Sequence, residues 1–252
     1  MKTKILSLIF IATVMLMSCE KETEEEMAPP APTPVETTTT IYLLDKYTSD
    51  NGDFDQSIEY TYTDDTLLTS AVKVIGETAT HYVLEYDTEG RITKVFENDV
   101  ITAMYSYVDG KINYSYYYHG ELTYKHIFEL NSNNKLIKYT TEGSEYYFTY
   151  TWDGDNMKTR SYYNADGIIS TTTYSHDPTI LSAEYNKYSI IAGHPSYSSK
   201  NATTQTVSDS DNEPMVYTLT ANENNYIHTA ESNNALGANI QTYTYKAVKI
   251  PN

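Results

Sequence analysis

The chain has one cysteine, one tryptophan and five phenylalanines in 252 residues. A single thiol, at position 19, can form neither an intramolecular disulfide nor a multi-cysteine zinc site. Basic side chains are scarce too: 17 Lys and Arg stand against 34 Asp and Glu, a formal charge of −17. That balance disfavours nucleic acid and anionic lipid headgroups as partners, since both require basic patches. Neutral ligands such as glycans stay open. No Gly-x-Ser-x-Gly elbow occurs. The six histidines, at 81, 119, 126, 176, 194 and 228, show neither HExxH nor His-x-x-x-His spacing for zinc. No catalytic residue, metal or cofactor is expected, and the protein is read as not an enzyme.

What is present begins with a leader. Lys2 and Lys4 precede an apolar run over residues 5–17, too short to cross a hydrocarbon core of ~30 Å comfortably as a mature helix. It ends Leu16-Met17-Ser18-Cys19. A small residue before cysteine, with leucine three positions upstream, resembles a bacterial lipobox. The resemblance implies removal of residues 1–18 and acylation of Cys19, making the membrane a partner through a lipid anchor. Two or three acyl chains hold far more firmly than one. Residues 19–40 then read as a tether, an acidic run followed by Pro29, Pro30, Pro32 and Pro34 among threonines. Such a segment extends by ~3.1 Å per residue, up to about 60 Å. The acidic run after a lipidated cysteine resembles a Bacteroidota surface-export signal. Display at the outer membrane on the cell surface is expected rather than a periplasmic face.

Residues 41–252 read as a single all-β domain. Tyrosine is the abundant aromatic, with 27 copies, and it favours pleated, half-buried surfaces. Turn pairs recur every 10 to 13 residues or so, among them Asn51-Gly52, Glu89-Gly90, Asn98-Asp99, Asp109-Gly110, His119-Gly120 and Glu142-Gly143. Asp-Gly and Asn-Gly supply the positive φ angles of tight hairpins. Between turns the residues alternate. Tyr82, Leu84 and Tyr86 share one parity, as do Ile112, Tyr114 and Tyr116, then Tyr124, His126 and Phe128, then Phe148, Tyr150 and Trp152. Period two marks a sheet with a drier and a wetter face. The reading is an antiparallel up-and-down meander of about 13 strands, forming a barrel or strongly curled sheet. Asp177-Pro178 offers a helix N-cap and first-turn proline, which predicts one short helix near 178–187.

The unit Tyr86-Asp87-x-x-Gly90-x-Ile92 resembles the YD repeats of bacterial wall-associated proteins. The whole layout is similar to Bacteroidota lipoproteins of unknown function with a porin-like β fold: lipobox, Pro/Thr linker, Tyr-rich hairpins and the ending Tyr243-Thr244-Tyr245. That resemblance implies a fold and brings no catalytic residues. A membrane-spanning barrel is not expected, because polar residues occupy both strand faces.

Tyr117, Tyr147 and Tyr163 fall on the polar parity and are the candidate ligand-binding residues, able to stack on sugars or anchor a protein contact. Cross-strand packing that merely stabilises the sheet is the alternative role for them. Acidic turns at residues 50–55 and 209–213 read as solvated rather than as calcium loops. Asp65-Thr66-Leu67 resembles an O-glycosylation sequon of exported proteins. The functional expectation is a non-catalytic envelope lipoprotein, a binding or scaffold module for a glycan or another envelope protein. The alternatives are a secreted carbohydrate-active hydrolase, which needs two converging carboxyl groups, and a hydrophobic-ligand carrier, which needs an unfilled cavity.

Overall fold

The computed structural model describes residues 38–50, 55–63, 66–183, 199–209, 213–234 and 237–251. The leader, Cys19 and nearly all of the tether lie outside them. Residues 38–252 form one unit. Its strands are β1 (Thr38–Asp50), β2 (Gln56–Tyr62), β3 (Leu68–Ile75), β4 (Thr78–Tyr86), β5 (Ile92–Glu97), β6 (Val100–Val108), β7 (Lys111–Tyr118) and β8 (Glu121–Leu130). There follow β9 (Leu136–Thr141), β10 (Tyr147–Asp153), β11 (Asn156–Asn164), β12 (Gly167–Leu181), β13 (Asn201–Ser208), β14 (Met215–Ala221), β15 (Ile227–Asn234) and β16 (Gly237–Pro251). Each strand pairs antiparallel with its neighbour in sequence, and β1 pairs with β16 from Thr38↔Pro251 to Asp50↔Ile240. The barrel is closed. It has 16 strands rather than about 13, because runs as short as β5 and β9, six residues each, still pair on both sides.

The expected helix is corrected in its described part: residues 178–181 belong to β12, and residues 184–187 lie outside the described set. The chemistry that suggested a cap is there but serves a turn. The Asp177 carboxylate accepts from the Thr179 amide at 2.7 Å and from the Ile180 amide at 3.2 Å, where the β12–β13 register breaks between His176 and Leu181. An Asx-type turn uses the same donors as an N-cap.

Two kinds of hairpin close the two ends. The distal end has two-residue turns at Asn98-Asp99 and His119-Gly120, whose φ angles are all positive, 48° and 67°, then 51° and 82°. At the proximal end, where β1 begins, four loops share one build. In Thr63–Leu67, Asp87–Arg91, Asn131–Lys135 and Asn222–Tyr226 the first amide donates to the fifth carbonyl at 2.8–2.9 Å. The first side-chain oxygen also accepts from the fifth amide, at 2.9–3.2 Å. The fourth residue is left-handed in each: Thr66, Gly90, Asn134 and Asn225, φ 57–73°. The YD-like unit at Tyr86 therefore recurs as geometry where its letters scarcely match. By contrast, Asp109-Gly110 forms a two-residue turn between β6 and β7.

Beyond each of these loops stands an apolar residue and a register shift: Leu68, Ile92, Leu136 and Ile227. A bulge interrupts the ladder locally, and a side-chain donor supplies the missing partner. Tyr86 Oη donates to Leu68 O, Tyr107 Oη to Ile92 O at 2.9 Å, Trp152 Nε1 to Leu136 O at 2.8 Å and Tyr245 Oη to Ile227 O at 2.8 Å. Tyr62 Oη does the same for Leu44 O, at the bulge in β1. Phenylalanine has no donor for this position, which accounts for part of the tyrosine excess.

Two apolar cores lie in the barrel toward its proximal end. The larger contains Leu43, Leu68, Leu84, Val95, Ile112, Phe128 and Leu136, and the smaller contains Leu44, Ala183, Ala202, Ile227 and Ala230. Adjacent residues of β1 thus belong to different cores. The ribbon of β1 and β16 is covered on both faces, Ile41, Leu43 and Val248 on one side and Leu44 and Tyr245 on the other. A barrel of 16 strands is usually wide enough for an aqueous channel. Here the ribbon and the apolar side chains around it occupy that space.

Candidate functional site

Toward the distal end the inward-facing side chains change from leucine and isoleucine to tyrosine, and they become wet. Val95 and Leu136 are 0% and 1% exposed, whereas Tyr124 is 37% and Tyr146 50% exposed. Antiparallel register sets Tyr116 opposite Tyr124, Phe148 opposite Tyr139 and Phe148 opposite Tyr162. Their rings join into a wall across β7 to β11. Tyr116 stacks on Tyr124 at 4.7 Å, Tyr124 meets His126 at 4.5 Å, and His126 meets Tyr139 at 4.8 Å. Tyr139 then stacks on Phe148 at 5.6 Å, Phe148 on Tyr162 at 4.7 Å and Tyr162 on Tyr146 at 5.6 Å. Such offset contacts are each worth about 0.5–1.5 kcal/mol beyond burial. The Arg160 guanidinium lies 5.6 Å from the Phe148 ring centre.

Burial sets the electrostatics of this wall. It pushes the Tyr82, Tyr114, Tyr124 and Tyr139 phenols up and holds the His126 imidazole below its ordinary value. The Tyr124 and Tyr139 phenols and the His126 imidazole are therefore neutral at pH 7, and Arg160 supplies a positive charge at the β11 end of the wall. Uncharged aromatic faces can stack on the apolar faces of sugar rings.

The inner face of β11 continues into a cleft of about 320 Å³. It is lined by Met157, Tyr174, Ser182, Ala183, Ser199, Asn201, Ala202, Thr203, Tyr217, Ile227, Ala230, Gln241 and Tyr243. A polar knot ties the lining residues Met157, Ser199 and Asn201 to Asn156 and His176, which do not line the cleft. Asn156 Nδ2 donates to Asn201 Oδ1 at 3.0 Å, and the Asn201 amide donates back to Asn156 Oδ1 at 2.8 Å. The Met157 amide donates to Ser199 Oγ at 2.9 Å, and the His176 ring lies between Met157 O and Asn201 O at 2.8 and 3.1 Å. Among the described residues the lining holds no carboxylate, imidazole or cation. A two-carboxylate hydrolysis has no acid or base in this cleft.

Tyr117, Tyr147 and Tyr163 stand on the outer face near the distal turns. Tyr147 and Tyr163 are cross-strand partners with rings stacked at 4.8 Å and 3° between planes, and the Lys138 ammonium sits 4.9 Å over Tyr147. Tyr117, on β7, is separated from them by β8 and β9. The inner wall and the cleft were not singled out from the sequence, where inward rings read only as core. A signal for the wall existed: along β7 the inward set runs Ile112, Tyr114, Tyr116, from apolar at one turn to phenolic at the other. The cleft had none, because its residues lie between positions 157 and 243 on six different strands and the segments joining them.

The rest of the outer face carries cross-strand charge pairs, Lys46–Glu59, Lys94–Glu85, Lys111–Glu129 and Lys125–Glu142. Such pairs stabilise little, but a lipid-facing band does not accommodate them. Among the described residues no three His, Cys, Asp or Glu side chains are grouped to hold a metal. Asp50 raises the carboxyl pKa of Asp55 by charge proximity, while residues 51–54 and 210–212 lie outside the described set. Thr66 is 5% exposed, so the folded protein does not present its hydroxyl for glycosylation.

No protein-family model matches the chain, and no curated protein matches it. Among solved structures, a porin-like protein from Bacteroides uniformis superposes with a TM-score of 0.57 at 14% identity, covering 84% of this chain and 99% of that one. A porin-like protein from Bacteroides vulgatus aligns at 10% identity over 82% and 99% of the two chains, with a TM-score of 0.40. The first likeness is one of fold. It agrees with the closed antiparallel barrel and with the porin-like β architecture expected from the sequence.

Proposed function

We propose that this chain is a non-catalytic binding protein of the bacterial envelope, a cup rather than a conduit, which takes a glycan against the inner aromatic wall. The observation that carries the reading is the asymmetry of the lumen. One end is filled by the β1–β16 ribbon and two apolar cores, while the other presents part-exposed stacked rings. The lipobox at Cys19 supports anchoring in the outer membrane with the barrel held on a tether, and the likeness to the porin-like protein from Bacteroides uniformis supports an envelope setting. The acidic run after Cys19 supports display at the cell surface. An excess of acid over base favours a neutral partner. A scaffold role toward another envelope protein, through Tyr117 and the Tyr147–Tyr163 pair, is the second reading, favoured by that exposed outer stack.

The test is binding of the ectodomain to a panel of polysaccharides, with two variants of unchanged thermal stability. Loss of binding in Tyr124→Ala/Tyr146→Ala assigns the ligand to the lumen. Loss only in a Tyr117/Tyr147/Tyr163 triple alanine variant moves it to the outer face. No binding to any glycan removes the first reading and leaves the scaffold role.

A further inference from the structure

We infer that the cleft on β11 to β16 is a second site, one that takes a single neutral, polyhydroxylated unit such as a terminal sugar residue. The inference rests on the reading of the lumen as a receptacle and adds the ligand class of this part of it. Size limits the ligand first. About 320 Å³ lies at the small end of the range for ligand pockets, ~300–1,000 Å³, so a long chain or a lipid tail does not fit within it.

Charge limits it next. With no ionisable acid or base among the described lining residues apart from phenols, an ionised ligand would lose water without gaining a counter-charge. A purely apolar ligand is disfavoured as well, because the Gln241 amide nitrogen would be left facing it. Chemistry then selects hydroxyls. Tyr243 Oη donates to Gln241 Oε1 at 2.9 Å. That bond fixes the amide so that its nitrogen keeps two donors for a ligand. Tyr217 Oη is taken by the Met215 sulfur at 2.9 Å, so this residue offers a ring face rather than a hydroxyl. A rigid aromatic plane beside a positioned amide suits a pyranose, which has one apolar face and an equatorial rim of hydroxyls.

The experiment is titration of the ectodomain by NMR with methyl glucoside, methyl galactoside and methyl mannoside, with glucuronic acid and glucosamine as charged counterparts. The expected result is saturable binding of at least one neutral glycoside. Gln241→Leu weakens it about tenfold, as for one lost hydrogen bond. Ala230→Leu, which fills the cleft, abolishes it. Thermal melts establish that each variant is folded. If binding survives Gln241→Leu and Ala230→Leu but falls with Tyr124→Ala, the cleft assignment is wrong and the aromatic wall alone is the site. If the charged sugars bind as well as the neutral ones, or no sugar binds, the inference is overturned.

Discussion

At the residue scale, the hydroxyl distinguishes this barrel from one built on phenylalanine. Tyr62, Tyr86, Tyr107 and Tyr245 each bury a ring and use its tip to complete a carbonyl at a bulge on the neighbouring hairpin. In the same unit Arg91 lies 4.5 Å over Tyr107, and Lys135 lies 5.0 Å over Trp152. Tyr86→Phe keeps the ring and orphans Leu68 O. It is expected to cost about 1 kcal/mol in denaturant unfolding, whereas Tyr86→Ala, which also leaves a void, should cost about 3–5 kcal/mol. No loss in Tyr86→Phe would show that the hydroxyl contributes nothing. The same phenols make stability depend on pH at the alkaline side. Burial raises Tyr86 and Tyr107 to about 12, and Tyr62, Tyr105 and Tyr245 higher still. An unfolded tyrosine ionises near 10, so above that pH the unfolded chain binds fewer protons than the native one and stability falls. This contribution is complete below about pH 10 and is lost as pH rises toward the native values. Urea midpoints measured from pH 8 to 11 should be level to about 9.5 and then decline, less steeply in Tyr62→Phe.

At the scale of single elements, the four matching proximal loops show what the sequence could and could not disclose. Period-two alternation placed the strands and their faces correctly at Leu84, Ile112, Tyr114, Phe128 and Tyr150. The loop repeat was visible only where aspartate and glycine happened to coincide, at Asp87 and Gly90. Threonine and asparagine cap the turn equally well at Thr63, Asn131 and Asn222, and the left-handed position tolerates Asn134 and Asn225. Physical equivalence is wider than letter identity. Asp177-Pro178 misled for the same reason, since an aspartate that receives two forward amides looks alike in a helix cap and in a bulge. Bulges are not legible in parity: the shift at Tyr116/Tyr117 pairs Tyr117 with Leu122. The Asp87 loop yields a local prediction. Backbone hydrogen bonds, led by the Arg91 amide, hold its carboxyl below the usual range. Its support is complete above the ordinary carboxylate value and is lost as pH falls through the lowered one. In Asp87→Ala the Glu89 and Arg91 amides should exchange with deuterium faster than in the parent, while the Asn131 and Asn222 loops keep their protection. Uniform acceleration in all of these loops would contradict a local role.

At the scale of the whole molecule, closure is what the sequence could not reveal, because β1 meets β16 across some two hundred residues and both have strand-like patterns with no motif marking the pair. The ribbon they form divides the proximal lumen, with Leu43 and Leu44 on opposite faces. Leu43→Ala and Leu44→Ala should each cost about 2–4 kcal/mol. Since the two contact separate cores, the double variant should lose close to the sum. A double variant no worse than either single one would mean that the two cores are not independent. The glycan reading and the cleft both depend on a lumen closed at that end and accessible at the other. Tyrosine nitration of the intact ectodomain, mapped by peptide mass spectrometry, tests this most directly. The account predicts early modification of Tyr116, Tyr124 and Tyr146, with Tyr62, Tyr105 and Tyr150 protected until unfolding. Modification of the second group as fast as the first, or protection of all six, would contradict it.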